Sequence, residues 1–237
     1  MIQALSFKLL LLRGKEMDLD NLSQISKRDL EIIQLHQFQQ PIYCCNVTAI
    51  AYAFTALGYL TTVDEIFYVT QLPISSVLDD GMTLAETYDT CRTYIERKGF
   101  PISIRVEHFD KPSITLESFI REVEAAVCDE SDVHILNFNT RIVHENPSLE
   151  GGHFSLLADY DPKTQEVTIA DTNPKRYTRF WKCPIQRLYT ACVDKDSSSN
   201  RSRGMIVLRR QEKAMLAGNG AIHPSEIALN ALHSENG

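Results

Sequence analysis

The apolar periodicity of the chain changes near its middle. In the first half, apolar residues recur at helical intervals, above all from Cys45 to Gly58 (CNVTAIAYAFTALG), a run that ends in glycine. In the second half they form short strand-like runs at 133–138 and 153–158. A turn sequence at 161–164 then leads to 166–171, which we predict to be a hairpin partner. The sequence therefore predicts an α+β fold in which a helical half precedes an antiparallel-sheet half.

Shorter elements are predicted around these runs, each from its apolar spacing and turn residues. They are a helix over 63–69 capped by Thr61 or Thr62, a turn at 79–81, a helix over 82–98, a strand over 101–107, helices over 115–127 and 184–192, and a strand over 204–208. The polar, serine-rich stretch 194–202 predicts a mobile loop. We expect one catalytic domain over 19–210, an N-terminal tail over 1–18 with Met17 as an alternative start, and a C-terminal tail over 211–237.

Charge and composition exclude several classes of partner. The chain has 237 residues and a formal charge of −7, and no basic stretch is present that would suit nucleic acid. The apolar run from Leu5 to Leu12 is too short to span a membrane and contains Lys8, so neither a membrane span nor a secretory signal is expected. The six cysteines form no CxxC pair and no zinc spacing, which predicts no bound metal, reduced thiols and a cytoplasmic location.

Four residues can be given complementary catalytic roles. Cys45, at the start of the apolar helix, is the candidate nucleophile, since a helix N-terminus stabilises a thiolate. His153, after two glycines, would take its proton, and Asp171 would orient that histidine. The amide of Gln39 would donate to the developing oxyanion. This set, in this order, is what a papain-like thiol enzyme requires.

Two adjacent cysteines compete for the nucleophile position. The apolar helix pattern fits better with Cys45 as its first residue, and Gln39 then precedes the nucleophile by six positions rather than five. We therefore assign Cys45. Cys44 is left at the edge of the cleft, either as a structural residue or as a redox partner.

Several short motifs resemble the phytochelatin synthase family. The segment 39–46, QQPIYCCN, is similar to the family pattern Q-S-E-P-A-Y-C-G, and 152–160, GHFSLLADY, is similar to GHFSPIGGY. The family aspartate then corresponds to Asp171. The segments 134–141 and 203–206 are similar to H-V-I-V-S-Y-H-R and R-G-F-M. The resemblance covers roughly residues 35–210.

The resemblance implies a papain-like cysteine protease fold and γ-glutamylcysteine transfer. Cys45 would cleave the Cys–Gly bond of glutathione, hold a γ-Glu-Cys acyl group, and pass it to water or to an amine such as a second glutathione, giving phytochelatin. Arg141 and Arg203 correspond to two arginines that bind substrate carboxylates near the cleft. The implied biology is metal detoxification. No cofactor is implied, because a divalent metal would enter as a metal–thiolate substrate, and a homodimer is conceivable.

The sequence also departs from the family pattern. Cys44 replaces an aromatic residue, Asn46 replaces a glycine, and Thr172-Asn173-Pro174 stands where the family has V-A-R. Two alternatives therefore stay open. One is the same acyl-transfer chemistry on another γ-glutamyl or peptidyl donor in small-molecule biosynthesis, and the other is an inactive papain-like binding module.

Overall fold

The computed structural model describes residues 44–78, 81–129, 131–149, 151–173 and 176–211. Six antiparallel strands form the main sheet in the spatial order β1-β8-β2-β3-β4-β5, and β6 pairs with β7 in a separate two-stranded sheet. The strands are β1 Ile102–His108, β2 Asp132–Asn139, β3 Gly152–Asp161, β4 Glu166–Ala170, β5 Phe180–Pro184, β6 Lys195–Asp196, β7 Arg201–Ser202 and β8 Gly204–Arg210.

The helices precede the sheet or connect its strands. They are α1 Cys45–Ala56, α2 Val63–Thr70, α3 Ser75–Leu78, α4 Leu84–Lys98, α5 Leu116–Cys128, α6 Thr140–Val143 and α7 Ile185–Val193. Their starts follow local sequence rules, because Thr62 accepts from the N–H of Glu65 and Thr83 forms a capping box with Glu86.

Helix α1 is the centre of the helical half. All of its residues except Cys45 and Tyr52 are buried, because the helix is apolar or small around most of its circumference. It packs on β3 and β2 and is covered by α2 and α4. The N-terminus of α1 is therefore directed at the strands of the sheet half.

The two faces of the sheet are covered by different helices. Successive strand residues point to opposite faces, so Ile135 of β2 packs in the core beneath α1, whereas Leu136 packs with Phe119 of α5 and Leu188 of α7. The sheet thus lies between two helical layers and is buried on both sides. This explains why β2 and β3 are buried along nearly their whole length rather than at alternate positions.

Most of the predicted elements are present with ends shifted by one or two residues. The prediction of a mobile loop over 194–202 is wrong, because this stretch forms the β6–β7 hairpin, with Lys195 opposite Ser202. Strand β5 was not predicted. The proposed tails at 1–18 and 211–237 and the turn at 79–81 lie outside the described residues, apart from Gln211 and Gly81.

Candidate active site

Cys45 is the first residue of helix α1, and Cys44 is its N-cap. The first backbone N–H groups of a helix have no partners within the helix, so they and the helix dipole favour an anion at this position. Because α1 packs across β3, the thiol of Cys45 lies beside the start of that strand. The expectation that Cys45 opens a buried helix is met by this geometry.

The Cys45 thiol is hydrogen-bonded to the side chain of His153. Burial alone would raise the pKa of this thiol. The hydrogen bond and the positive charge of the imidazolium outweigh burial, and the backbone N–H groups of Phe154 and Asn46 add further stabilisation of the thiolate, so that the pKa of Cys45 is lowered. Cys45 is partly exposed, and so a substrate can reach it.

His153 lies between the thiol and a carboxylate. Its Nε2 is 3.0 Å from Oδ1 of Asp171, which leaves Nδ1 for the bond with Cys45. Burial would lower the pKa of His153, but the hydrogen bonds to Asp171 and Cys45 and the charges of both groups raise it well above its ordinary value. A lowered thiol pKa and a raised imidazole pKa together favour a thiolate–imidazolium pair.

The side chain of Asp171 is fully buried, and three donors fix its carboxylate. Oδ1 accepts from His153 and from the backbone N–H of Asn173 at 2.7 Å, and Oδ2 accepts from Nε1 of Trp181 at 2.7 Å. Burial would raise the pKa of this carboxyl, but the hydrogen bonds and the charge of His153 lower it. Asp171 is therefore an ionised acceptor.

Aromatic side chains surround the imidazole of His153. Phe138 contacts its ring edge-on with centroids 5.7 Å apart, and Tyr177 lies 5.4 Å away. Tyr177 is in turn stacked on His144 at 4.7 Å, and its hydroxyl is hydrogen-bonded to Thr140. Sequence reasoning did not identify Tyr177, His144 or Trp181. The one available signal was that Trp181 is the sole tryptophan of the chain.

Cys44 and Cys45 occupy different environments although they are adjacent. Cys44 is 1% exposed within the core. Burial and the neighbouring charge of Cys45 raise the pKa of its thiol. The structure therefore places Cys45, and not Cys44, in the position of a nucleophile.

A cleft of about 500 Å³ opens beside Cys45. The helical half supplies one wall, and the sheet half supplies the other. The lining residues are Cys45, Ser76, Gly81, Met82, Thr83, Glu86, Asn137, Gly151, Gly152, Phe154, Asp196, Ser197, Ser198 and Arg203. The stretch expected to be a mobile loop thus forms part of the cleft wall.

Arg203 is a buried cation on the cleft wall, 6% exposed. Its Nη1 donates to Oδ1 of Asn137 at 3.1 Å, and its Nε lies 3.6 Å from Oδ2 of Asp194. Gly152 makes this position possible, because a Cβ there would lie 1.9 Å from Nη1 of Arg203. The guanidinium is therefore held by its neighbours next to the glycines that precede His153.

The remaining predicted site residues are not brought to the cleft by the described part of the structure. Arg141 is exposed, its Nε donates to the carbonyl oxygen of Leu149 at 2.6 Å, and it does not line the cleft. Gln39 lies outside the described residues. The roles of Arg141 in substrate binding and of Gln39 at the oxyanion stay predictions.

The part of the chain that the structure describes contains neither a metal-binding cluster nor a membrane-spanning helix. There, no group of three or more His, Cys, Asp or Glu side chains is arranged to hold a metal ion. Nor is any helix among those residues long and apolar enough to cross a bilayer. All six cysteines are among the described residues, and each is a free thiol.

The geometry defines a nucleophilic thiol with its base and an orienting carboxylate. The nucleophile begins a central helix, while the base and the carboxylate come from the antiparallel sheet packed against that helix. This is a papain-like α+β fold. Its chemistry is attack of a thiolate on an acyl carbon, with imidazole carrying the proton.

One comparison with known proteins agrees with this chemistry. A family model described as "Phytochelatin synthase" matches residues 22–205. No curated protein matches the chain.

Two solved structures are distantly similar. The peptidase domain of Streptococcus ComA, a bi-functional ABC transporter involved in a quorum sensing pathway, is 11% identical with a TM-score of 0.42, over 73% of this chain and 96% of that one. The N-terminal peptidase C39 like domain of a toxin secretion ATP-binding protein from Vibrio parahaemolyticus is 16% identical with a TM-score of 0.38, over 73% and 100%. At these identities and TM-scores, neither structure indicates the function of the present chain.

Proposed function

The chain belongs to the phytochelatin synthase family, and from this premise we propose that it is a cysteine acyltransferase or peptidase that acts on glutathione. The single observation that supports the proposal most is the hydrogen-bonded series Cys45–His153–Asp171 at the edge of an open cleft. A thiolate nucleophile can cleave the Cys–Gly peptide bond and retain the γ-Glu-Cys acyl group as a thioester.

In the first half-reaction, the Cys45 thiolate attacks the carbonyl carbon of the Cys–Gly bond. The backbone N–H groups of the first turn of α1 are available to the oxyanion that develops, and Gln39 is the predicted second donor. The imidazolium of His153 then donates its proton to the nitrogen of the leaving glycine. Free glycine departs, and a γ-Glu-Cys thioester stays on Cys45.

In the second half-reaction, neutral His153 takes a proton from water or from the amine of a second glutathione. The deprotonated nucleophile attacks the thioester, and the thiolate of Cys45 is restored. Water yields γ-Glu-Cys, whereas glutathione yields a phytochelatin. Asp171 keeps the imidazole oriented through both proton transfers because its carboxylate is fixed by Trp181 and Asn173.

Arg203 is the residue of the cleft that best suits a substrate carboxylate. Its guanidinium is buried, donates to the amide oxygen of Asn137, and forms ion pairs with Asp194 and Asp196 at 3.6 and 4.0 Å. A guanidinium presents several N–H donors in one plane, which suits the carboxylate of a substrate. A divalent metal would belong to this scheme as part of a glutathione–thiolate substrate, and a cytoplasmic location would supply the reduced thiols that the scheme needs.

The experiment is release of glycine from glutathione by the purified protein, with and without zinc or cadmium. We expect free glycine in proportion to enzyme, and a loss of about 10⁴-fold or more for Cys45→Ser, because triad members act as a unit. Cys128→Ser is the matched control, since Cys128 is an exposed thiol away from the cleft. Absence of glycine under every condition would remove glutathione as the donor.

The mass of the acyl group trapped on Cys45 separates the alternatives. An adduct of γ-Glu-Cys supports the proposal. A different acyl mass identifies another γ-glutamyl or peptidyl donor. No adduct, together with slow labelling of Cys45 by iodoacetamide, would point to the inactive binding module.

A further inference from the structure

Both oxygens of the orienting carboxylate accept hydrogen bonds from N–H donors. Oδ1 of Asp171 accepts from Nε2 of His153 at 3.0 Å and from the backbone of Asn173 at 2.7 Å. Oδ2 accepts from the indole of Trp181 at 2.7 Å. An ionised carboxylate consists only of acceptors, so three converging donors suit it.

The indole cannot turn away from this carboxylate without disturbing its neighbours. Trp181 lies on strand β5 in register with Ile169 of β4. Its ring packs edge-on against Phe138 with centroids 5.7 Å apart and lies 4.7 Å from the ring of His144. The position of the N–H is therefore set by sheet pairing and by aromatic packing.

An amide at position 171 would meet these donors differently. Asparagine has one acceptor oxygen and an NH₂ group that only donates. If its oxygen faced His153, its NH₂ would face the indole N–H, and two donors would be left opposed in a buried site. If its oxygen faced Trp181, its NH₂ would face Nε2 of His153 and would also oppose the backbone N–H of Asn173, so this orientation leaves two donors opposed as well.

The second orientation would reverse the tautomer of the base. An NH₂ group facing Nε2 requires that nitrogen to be the acceptor, so the ring proton would sit on Nδ1, which faces the Cys45 thiol. An imidazole protonated at Nδ1 cannot take the thiol proton. A wrong tautomer of this kind is what makes the Asp-to-Asn change in a serine protease triad cost about 10⁴-fold.

We propose that Trp181 is a positioning residue for the side chain of residue 171. Its indole N–H requires an acceptor at one end of that side chain while His153 requires an acceptor at the other, and only an aspartate provides both. The proposal rests on the proposed function only in taking Cys45 as nucleophile and His153 as base. It leads to a specific result: removal of the indole donor should rescue an asparagine at 171, because the amide oxygen is then free to face His153.

The test is the rate at which iodoacetamide alkylates Cys45 at pH 6.5, followed by mass spectrometry of the Cys45 peptide. Asp171→Asn should lower this rate about 100-fold, because a thiol with an ordinary pKa of about 8.5 is only about 1% ionised at that pH. Trp181→Phe alone should lower it only a few-fold, since the carboxylate still accepts from His153. The double variant should react at least tenfold faster than Asp171→Asn.

Tyr177→Phe is the matched control. It removes a hydroxyl from the same aromatic cluster, but that hydroxyl is bonded to Thr140 and not to Asp171. Combined with Asp171→Asn, it should give no rescue. Equal rescue by Tyr177→Phe would overturn the proposal, because it would show a loosening of the cluster rather than the loss of one donor.

A second form of the double variant protects the test against misfolding. Benzothienylalanine at position 181 keeps the size of the indole but lacks its N–H, so it should give the same rescue. Failure of both double variants to exceed Asp171→Asn overturns the proposal. Because iodoacetamide needs no glutathione, rescue without glycine release would sink the proposed substrate alone, and glycine release without rescue would sink the role of Trp181 alone.

Discussion

Two histidine–carboxylate pairs in this molecule have the same separation. Nε2 of His153 lies 3.0 Å from Oδ1 of Asp171, and Nε2 of His134 lies 3.0 Å from Oε1 of Glu122. Both histidines are buried on neighbouring strands of one sheet, β3 and β2. The separation by itself therefore does not identify a catalytic pair.

The carboxylates of the two pairs are held differently. The side chain of Asp171 is completely buried and accepts from Trp181 as well as from His153. The side chain of Glu122 is 30% exposed and also pairs with Arg105, which in turn pairs with Glu107. The hydrogen bond from His134 lowers the pKa of Glu122. The negative charge of Glu122 also interacts with Arg105, in a network of ion pairs at the surface.

The two imidazoles also serve different partners. The other nitrogen of His153 faces a thiol at a helix N-terminus, so its proton can be exchanged with a nucleophile. His134 instead links its strand to helix α5 through Glu122. The comparison shows that a histidine–carboxylate pair becomes reactive when a third group exchanges a proton with the imidazole and the carboxylate is shielded from water.

The largest expected effect is the difference in activity between removing the imidazole of His153 and removing that of His134. His153→Ala should lower glycine release by about 10⁴-fold or more, because the base of a triad is lost. His134→Ala should stay within a few-fold of wild type in activity, although it removes one of the two partners of the Glu122 carboxylate. The measurement is kcat/KM of the two variants at equal folded fraction. A comparable loss in both would remove the distinction drawn between the pairs.

A smaller effect is expected in the pH dependence of thiol reactivity. The lowered pKa of Cys45 means that its thiolate forms as pH rises through a value below that of an ordinary thiol, and the raised pKa of His153 means that the ion pair persists until pH passes that higher value. At pH 6.5, Cys45 should therefore react with iodoacetamide about 100-fold faster than a model cysteine peptide.

The same titration in the two alanine variants sharpens the comparison. His153→Ala should abolish the advantage at pH 6.5, because the hydrogen bond and the positive charge are both lost. His134→Ala should preserve it. A Cys45 profile equal to that of the model peptide in the wild-type protein would show that no ion pair exists.

The smallest effect is expected at the surface pair. Glu122→Gln removes a charge that Arg105 and His134 both use, which should cost about 1 kcal/mol in the free energy of unfolding, since the side chain is partly exposed. Glycine release should not change. The shift of the urea midpoint at constant slope measures the stability, and a fall in kcat at unchanged stability would show that the network reaches the active site.

Prediction from sequence succeeded where the rules are local. Helix α1 begins at Cys45 and α2 is capped by Thr62 because an apolar run and a capping threonine act over a few residues. Prediction from sequence failed at β5, because this five-residue edge strand ends in Pro184 and shows no alternation of apolar and polar residues. It failed at the β6–β7 hairpin because two-residue strands have no pattern to detect.

The two predicted substrate-binding arginines show the same limit of prediction from sequence. Both Arg141 and Arg203 match family motifs, and neither has a local feature that separates them. Only the fold distinguishes them, since Arg203 follows the hairpin and lies buried behind Gly152, whereas Arg141 is an exposed residue of the short helix α6. Burial depends on what packs above a residue, and sequence spacing does not contain that information.

The sequence by itself determined the order of helices and strands, the position of Cys45 at a helix start, and the placement of His153 on one strand of a hairpin and of Asp171 at the end of the other, because each follows from periodicity and turns within a short segment. The tertiary structure decided that α1 lies across β3 so that the thiol meets the imidazole, that β5 brings an indole to Asp171, and that Arg203 reaches the cleft. Those contacts join residues distant along the chain, and they exist only because burial of the two faces of the sheet brings the separate elements together.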